Sequence, residues 1–185
     1  MDRESGALVS SKKKKKPVKA KGKPIVAGRK KAQSMAPPSK ELDVAARVKA
    51  TRVPASVLDQ LVQEATAVRN RAYAPYSGYM VGAAIATKSG AVYVGCNVEN
   101  STFGATICAE RGAVMQMVAA GETDPIACAV VTKDGGSPCG ICRQVLAEFA
   151  RDMPVVLVGL AAAEGESGTV VHLSELLPLA FRLER

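Results

Sequence analysis

The stretch "IACAVVTKDGGSPCGICRQVLAEFARDMPVVLVGL" (Ile126–Leu160) decides how the chain folds. "IACAVVT" (126–132) and "VVLVGL" (155–160) are apolar runs of strand length, and "CGICRQVLAEFARD" (139–152) between them has a helical pattern stopped by Pro154. An uninterrupted apolar strand is one buried on both faces of a sheet, so helices must cover both faces. Upstream, "CAERGAVMQMVAAG" (108–121) is a predicted helix closed by Gly121, and "MVGAAIATKSGAVYVGCNV" (80–98) is two short strands joined by "KSG". "PASVLDQLVQEATAVRNRAY" (54–73) aligns Val57, Leu58, Leu61, Val62, Ala65 and Val68 on one helical stripe, with Pro54 and Ser56 suited to its first turn. "TVVHLSELLPLAF" (169–181) is expected to run from a short strand into a short helix. The order predicts an α/β protein, a three-layer α/β/α sandwich with a mixed sheet of about five strands covered by helices.

Composition sets the surroundings. The 185 residues carry a formal charge of +8, unevenly spread. Residues 1–52 hold 16 Lys and Arg against 4 Asp and Glu, a net of +12, and the other 133 residues hold 9 against 13, a net of −4. The first segment, with "KKKKK" (12–16), "KAKGKP" and "GRKK", repels itself and has little apolar surface to bury, so it is expected to be a disordered basic tail. Such a tail offers at most non-specific contact with nucleic acid or another polyanion, and lacks the aromatic interleaving of a single-strand binder. Residues 53–185 form the expected catalytic domain. Neither a membrane span nor a secretory signal is expected, because no apolar run is long enough and the first residues are polar and then Lys-rich. Five cysteines, an odd number, point to free thiols in a reducing compartment, and the expectation is a cytoplasmic protein.

Three of those thiols carry the chemistry. Cys108, Cys139 and Cys142 stand at predicted helix starts, where the partial positive charge of the helix end favours the thiolate. Cys139 and Cys142 are three apart across one turn and can face a common ion, with Cys108 arriving from another helix. Three soft ligands leave one tetrahedral position open, as in catalytic zinc sites. The single histidine, His172, is better placed as a strand-edge residue, and Cys96 and Cys128 fall inside strand patterns as small buried hydrophobes. Glu110, two residues after Cys108, could be only a first-turn acid favoured by the helix dipole. Beside three convergent cysteines, the reading as a proton carrier is preferred. A lone C-x-x-C is a weak signal; Cys-Ala-Glu followed by Pro-Cys-x-x-Cys is far more specific and resembles the zinc-deaminase pattern.

"AYAPYSGYMVGAAI" (72–85), "GCNVENSTFGATICAERGAV" (95–114), "SPCGICRQVLAEF" (137–149) and "LLPLAF" (176–181) occur in an order and at spacings that closely resemble the short, homotetrameric cytidine deaminases. The resemblance covers roughly residues 55–185 and implies the fold of that family. It implies that Cys108, Cys139 and Cys142 hold zinc, that Glu110 shuttles protons, and that Arg111 bonds the ligand thiolates and offsets their excess charge. It further implies that Asn97 and Glu99 grip the ribose hydroxyls, that Ala109 presents backbone near the base, and that Tyr79 stacks on the pyrimidine. Tyr79 stands where the family usually has Phe, and Phe103 where an aromatic, often Tyr, is usual. Phe103 and Phe181 are expected at subunit borders, serving a neighbour's pocket in a homotetramer. The implied reaction is zinc-dependent hydrolysis of cytidine and 2′-deoxycytidine to the uridines and ammonia, in pyrimidine salvage. Another aminated heterocycle such as blasticidin S is the alternative substrate, though Asn97 and Glu99 favour a plain ribose. An editing deaminase acting on nucleic acid is disfavoured by the net −4 of the catalytic region, since polynucleotide binding needs a basic channel. A non-catalytic zinc module is disfavoured by Glu110 beside the open position.

Overall fold

A computed structural model of the chain describes residues 52–161 and 168–183. The Lys-rich segment expected to be disordered lies, apart from Arg52, outside the described residues. In chain order the elements are α1 (Ala55–Arg69), β1 (Gly82–Thr87), β2 (Val92–Cys96), a 3-10 turn (Phe103–Ala105), α2 (Ala109–Ala119), β3 (Pro125–Thr132), α3 (Gly140–Phe149), β4 (Pro154–Gly159), β5 (Thr169–His172) and α4 (Leu173–Leu176). The sheet runs β2-β1-β3-β4-β5. β1 pairs antiparallel with both β2 and β3, β4 pairs antiparallel with β5, and β3 and β4 are parallel, joined through α3. The mixed sheet with helices on both faces is the expected α/β architecture.

Alternation along the strands divides the core in two. Ala84 and Ala86 of β1, with Ala127, Ala129 and Val131 of β3, face the buried α1 side chains Leu58, Leu61 and Ala65. Ala83, Ile85, Cys128, Val130 and Val155 point the other way, onto Ala113 and Met117 of α2, Leu146 and Ala147 of α3, and Leu173 of α4. All six residues of β1 are buried, as its apolar run requires. Small side chains bring the layers close together. A Cβ at Gly82 would sit 2.0 Å from the Ala65 carbonyl oxygen of α1, and one at Gly95 would sit 2.3 Å from the Ala109 carbonyl oxygen of α2. Gly95 therefore lets the first turn of α2 rest directly on β2, and that turn carries Cys108 and Glu110 on its way into the site.

Three details differ from the sequence reading. The third helix ends at Phe149, not Asp152, because Ala150 turns to extended dihedrals; its carbonyl oxygen accepts a bond from Arg182 Nη2 at 2.9 Å. Cys96 is only half-buried, since it ends an edge strand, whereas Cys128 in the interior strand β3 is fully buried. Pro54 caps α1 from outside, preceding its first turn. His172 lies on the edge strand β5 as expected, with Nδ1 2.7 Å from Asp152 Oδ2. No helix among the described residues is long and apolar enough to cross a membrane.

The α2–β2 contact makes a contrast between two glycines testable. Gly95→Ala forces backbone against backbone and is expected to destabilise the protein by about 1–3 kcal/mol or more. At Gly112 an added Cβ meets nothing closer than 3.5 Å, so Gly112→Ala in α2 is expected to be neutral or to stabilise by about 0.5–1 kcal/mol. Urea denaturation of both variants checks the pair; equal effects would contradict the packing described.

Candidate active site

The carboxyl end of β3 and the amino ends of α2 and α3 meet at one side of the sheet, the edge at which parallel strand–helix units commonly place ligands. Cys108 is the N-cap residue of α2 and Cys139 that of α3, with Cys142 in the first turn of α3. Their sulfur atoms lie within 4.8 Å of one another. Cys108 Sγ is 3.9 Å from Cys139 Sγ, and Cys139 Sγ is 3.6 Å from Cys142 Sγ. Among the described residues these three form the one group of His, Cys, Asp or Glu side chains arranged to hold a metal ion.

Electrostatics support thiolate at this point. Hydrogen bonding with Cys142, followed by the Arg111 guanidinium, pulls the Cys108 thiol down to about 5 against the opposing effect of burial. The Cys142 thiol is pushed up, first by that same bond with Cys108 and then by burial. Thiolate is the form of cysteine that binds a divalent ion. Arg111 Nη2 lies 3.8 Å from Cys108 Sγ and also bonds the Thr106 carbonyl oxygen. Its Nε is buried with no hydrogen-bond partner among the described residues. Three convergent soft donors at two helix amino ends, with a compensating guanidinium, fit zinc.

Glu110 is 4% exposed in the first turn of α2. Burial above all, and then the negative charge of Cys108, holds its carboxyl above the usual carboxylate range. A cleft of about 230 Å³ opens over these groups, and Cys108, Cys139, Glu110, Asn97, Glu99 and Tyr79 all line it. Cys142 is buried beside Cys139, and Ala109 is fully buried between ligand and acid. Asn97 braces the wall: its Oδ1 accepts from the Val81 amide and its Nδ2 donates to the Tyr79 carbonyl, each at 2.8 Å. The Glu99 carboxylate lines the cleft and also accepts bonds from the Tyr76 and Ser77 amides at 2.8 and 3.2 Å, and from the Ser77 hydroxyl. The bond from Ser77, and then that from Tyr76, holds the Glu99 carboxyl below its usual range.

Phe103 and Phe181 stay outside this cleft. Phe103, 78% exposed, stacks edge-on against Tyr76 with ring centres 6.3 Å apart and lines a neighbouring depression. Phe181, 69% exposed, is tied to α3 by its carbonyl oxygen, which accepts from Gln144 Nε2 at 2.8 Å. Sequence reasoning missed Ser77, Thr106, Thr132, Gly136 and Ser137, which also line the cleft. Short polar and glycine residues in loops or at a strand end carry no periodic signal, and only the folded wall brings them together.

Comparison with known proteins agrees with this geometry. Residues 55–158 match the family described as the cytidine and deoxycytidylate deaminase zinc-binding region. The chain is 45% identical over 130 residues to the cytidine deaminase of Sporosarcina psychrophila, covering 69% of this chain and 93% of that one. It is 44% identical over 126 residues to that of Halalkalibacterium halodurans, covering 67% and 93%. The crystal structure of cytidine deaminase from Burkholderia pseudomallei superposes with a TM-score of 0.62 at 42% identity, covering 66% of this chain and 98% of that one. The chain belongs to the cytidine deaminase family, and its cofactor is zinc.

Zinc content tests the ligand set directly. The wild-type protein is expected to bind about one zinc per chain, and Cys142→Ala to lose it, because two thiolates are a poor site for a divalent ion. Elemental analysis showing full zinc in Cys142→Ala would rule the assignment out.

Proposed function

We infer that the protein hydrolyses the exocyclic amine of cytidine and 2′-deoxycytidine, releasing ammonia and the corresponding uridine. The observation that carries the reading is Glu110, buried and facing the cleft two residues from one thiol of a three-cysteine cluster. Zinc held by Cys108, Cys139 and Cys142 would supply Lewis acidity for the activation of water at neutral pH. Glu110 takes one proton from the attacking water and gives it to the pyrimidine N3, then takes the second from the hydroxyl left on the ring carbon and gives it to the departing amine, so that ammonia leaves as the carbonyl forms. Burial raises its affinity for a proton toward the working pH, which suits a group that must both accept and return one. Arg111 lies against Cys108 and offsets negative charge that would otherwise oppose water activation.

The rest of the cleft recognises a nucleoside. Tyr79 offers a ring to the base, with the Ala109 backbone alongside. Glu99 is an acceptor for a ribose hydroxyl, and Asn97 orients the wall between sugar and base. The two roles of Glu99 are compatible, because a carboxylate has about four acceptor sites. A substrate without that hydroxyl forgoes a charge-assisted hydrogen bond to the carboxylate, so the sugar is part of what the pocket binds. Such a reaction serves pyrimidine salvage in the cytoplasm. The assembly proposed is a homotetramer of the short type, with Phe103 and Phe181 reaching a neighbour's pocket; their exposure in the single chain supports this. A mass four times that of one chain in light scattering checks it, and an active monomer would contradict it.

Ultraviolet monitoring of cytidine conversion by the zinc-loaded protein tests the function. Glu110→Gln is expected to retain zinc and lose ~100–10,000-fold in kcat, the range typical of general acid–base catalysis. Free cytosine should be a very poor substrate. Glu110→Gln within a few-fold of wild type would assign the proton carrier elsewhere, and cytosine turned over as efficiently as cytidine would refute the nucleoside reading.

A further inference from the structure

Tyr79 does more at the cleft than present a ring. Its hydroxyl donates to Asp134 Oδ1, a residue 55 positions away in the loop between β3 and α3. The same carboxylate oxygen accepts from Thr132 Oγ1 at 3.2 Å, and Thr132 Oγ1 in turn accepts from the Gly136 amide at 2.9 Å. The chain of bonds therefore runs from the base-facing wall, through Asp134, into the loop that delivers Cys139. Space is matched to it: a Cβ at Gly136 would lie 2.9 Å from the Tyr79 hydroxyl oxygen, so the bare glycine backbone makes room for that oxygen. Tyr79, Thr132 and Gly136 all line the cleft.

We propose that Asp134 is a positioning residue which, through its bond to the Tyr79 hydroxyl, latches the pyrimidine-facing ring to the β3–α3 loop and thereby sets substrate affinity. The proposal rests on Tyr79 forming the wall against the base. A phenylalanine at this position would have no hydroxyl to reach the loop; in this chain the ring's orientation depends on a partner outside the cleft's floor. Burial, and then the bond to Asp134, keep the Tyr79 phenol above its ordinary value, so it remains a donor at neutral pH. The bond from Tyr79 in turn holds the Asp134 carboxyl below the usual range, so the acceptor stays ionised. A hydroxyl bonded to an ionised carboxylate is among the stronger side-chain hydrogen bonds, and it fixes direction as well as distance.

The test is a five-variant series on the zinc-loaded enzyme, measuring KM and kcat for cytidine, calorimetric binding of uridine, and zinc content. Tyr79→Phe and Asp134→Ala are each expected to raise KM and weaken uridine binding by about 5–10-fold, with zinc content unchanged. The double variant should be no worse than either single one, because both remove the same bond. Asp134→Asn keeps an Oδ1 acceptor and is expected to restore most of the affinity. The proposal is overturned if Asp134→Ala binds uridine as wild type does, if the two single effects multiply, or if Asn performs as poorly as Ala. Tyr79→Ala separates the underlying reading: if it too is silent, Tyr79 is not the wall against the base and the latch has nothing to position. If Tyr79→Ala is severely impaired while Tyr79→Phe and Asp134→Ala are silent, the wall stands and the latch alone fails.

Discussion

Everything in the molecule depends on two helix amino ends meeting at one point. Cys108 ends the approach to α2 and Cys139 the approach to α3, and their sulfurs stand 3.9 Å apart. A thiolate pair at that distance repels itself in water. The partial positive charge of each helix end, the Arg111 guanidinium and a divalent cation together reverse the sign of the interaction. The scaffold's task is to hold the two ends in place. β3 and β4, paired in parallel, require a crossover helix, and that helix starts at the carboxyl end of β3. α2 is brought to the same edge by lying on β2, where Gly95 removes the side chain that would hold it away.

Once the thiols converge, the location of Glu110 follows with little freedom. Two residues into a helix whose N-cap is a ligand, its carboxyl turns toward the cleft and is almost fully buried. An ionised carboxylate buried beside thiolates is unfavourable, and its raised proton affinity is the consequence. The same desolvation that costs stability raises the carboxyl's hold on a proton. The cleft wall is built with polar groups that serve two purposes. Asn97 and Glu99 secure the backbone of residues 76–81 and at the same time line the cleft. Their rigidity comes from bonds already made before any ligand arrives, which lowers the entropy lost on binding.

How much of this was legible before the fold was known differs by kind of residue. The strand–helix–strand run of Ile126–Leu160, the stripe of α1 and the apolar β1 were readable because burial imposes a period on the sequence. The cluster of Cys108, Glu110, Cys139 and Cys142 was readable because metal chemistry admits few residue types and a short helix turn admits few spacings. Element ends were less readable: α3 stops three residues early because Ala150 adopts extended dihedrals, with its carbonyl held by Arg182 of the C-terminal segment. Cys96 could not be told from Cys128 by pattern, since an edge strand and an interior strand can carry the same residue types.

The sequence by itself determined the layer order, the cluster of three cysteines and the acid beside it, because each follows from local periodicity or from chemistry confined to a few neighbouring positions. Tertiary structure alone decided which polar groups form the cleft wall. Asp134 meets Tyr79 across 55 residues, and Ser77 meets Glu99 across 22. Those partners are loop residues, with no period to betray their direction. Their pairing is set by where the sheet places two loops, a consequence of strand order and register that no single stretch of sequence contains.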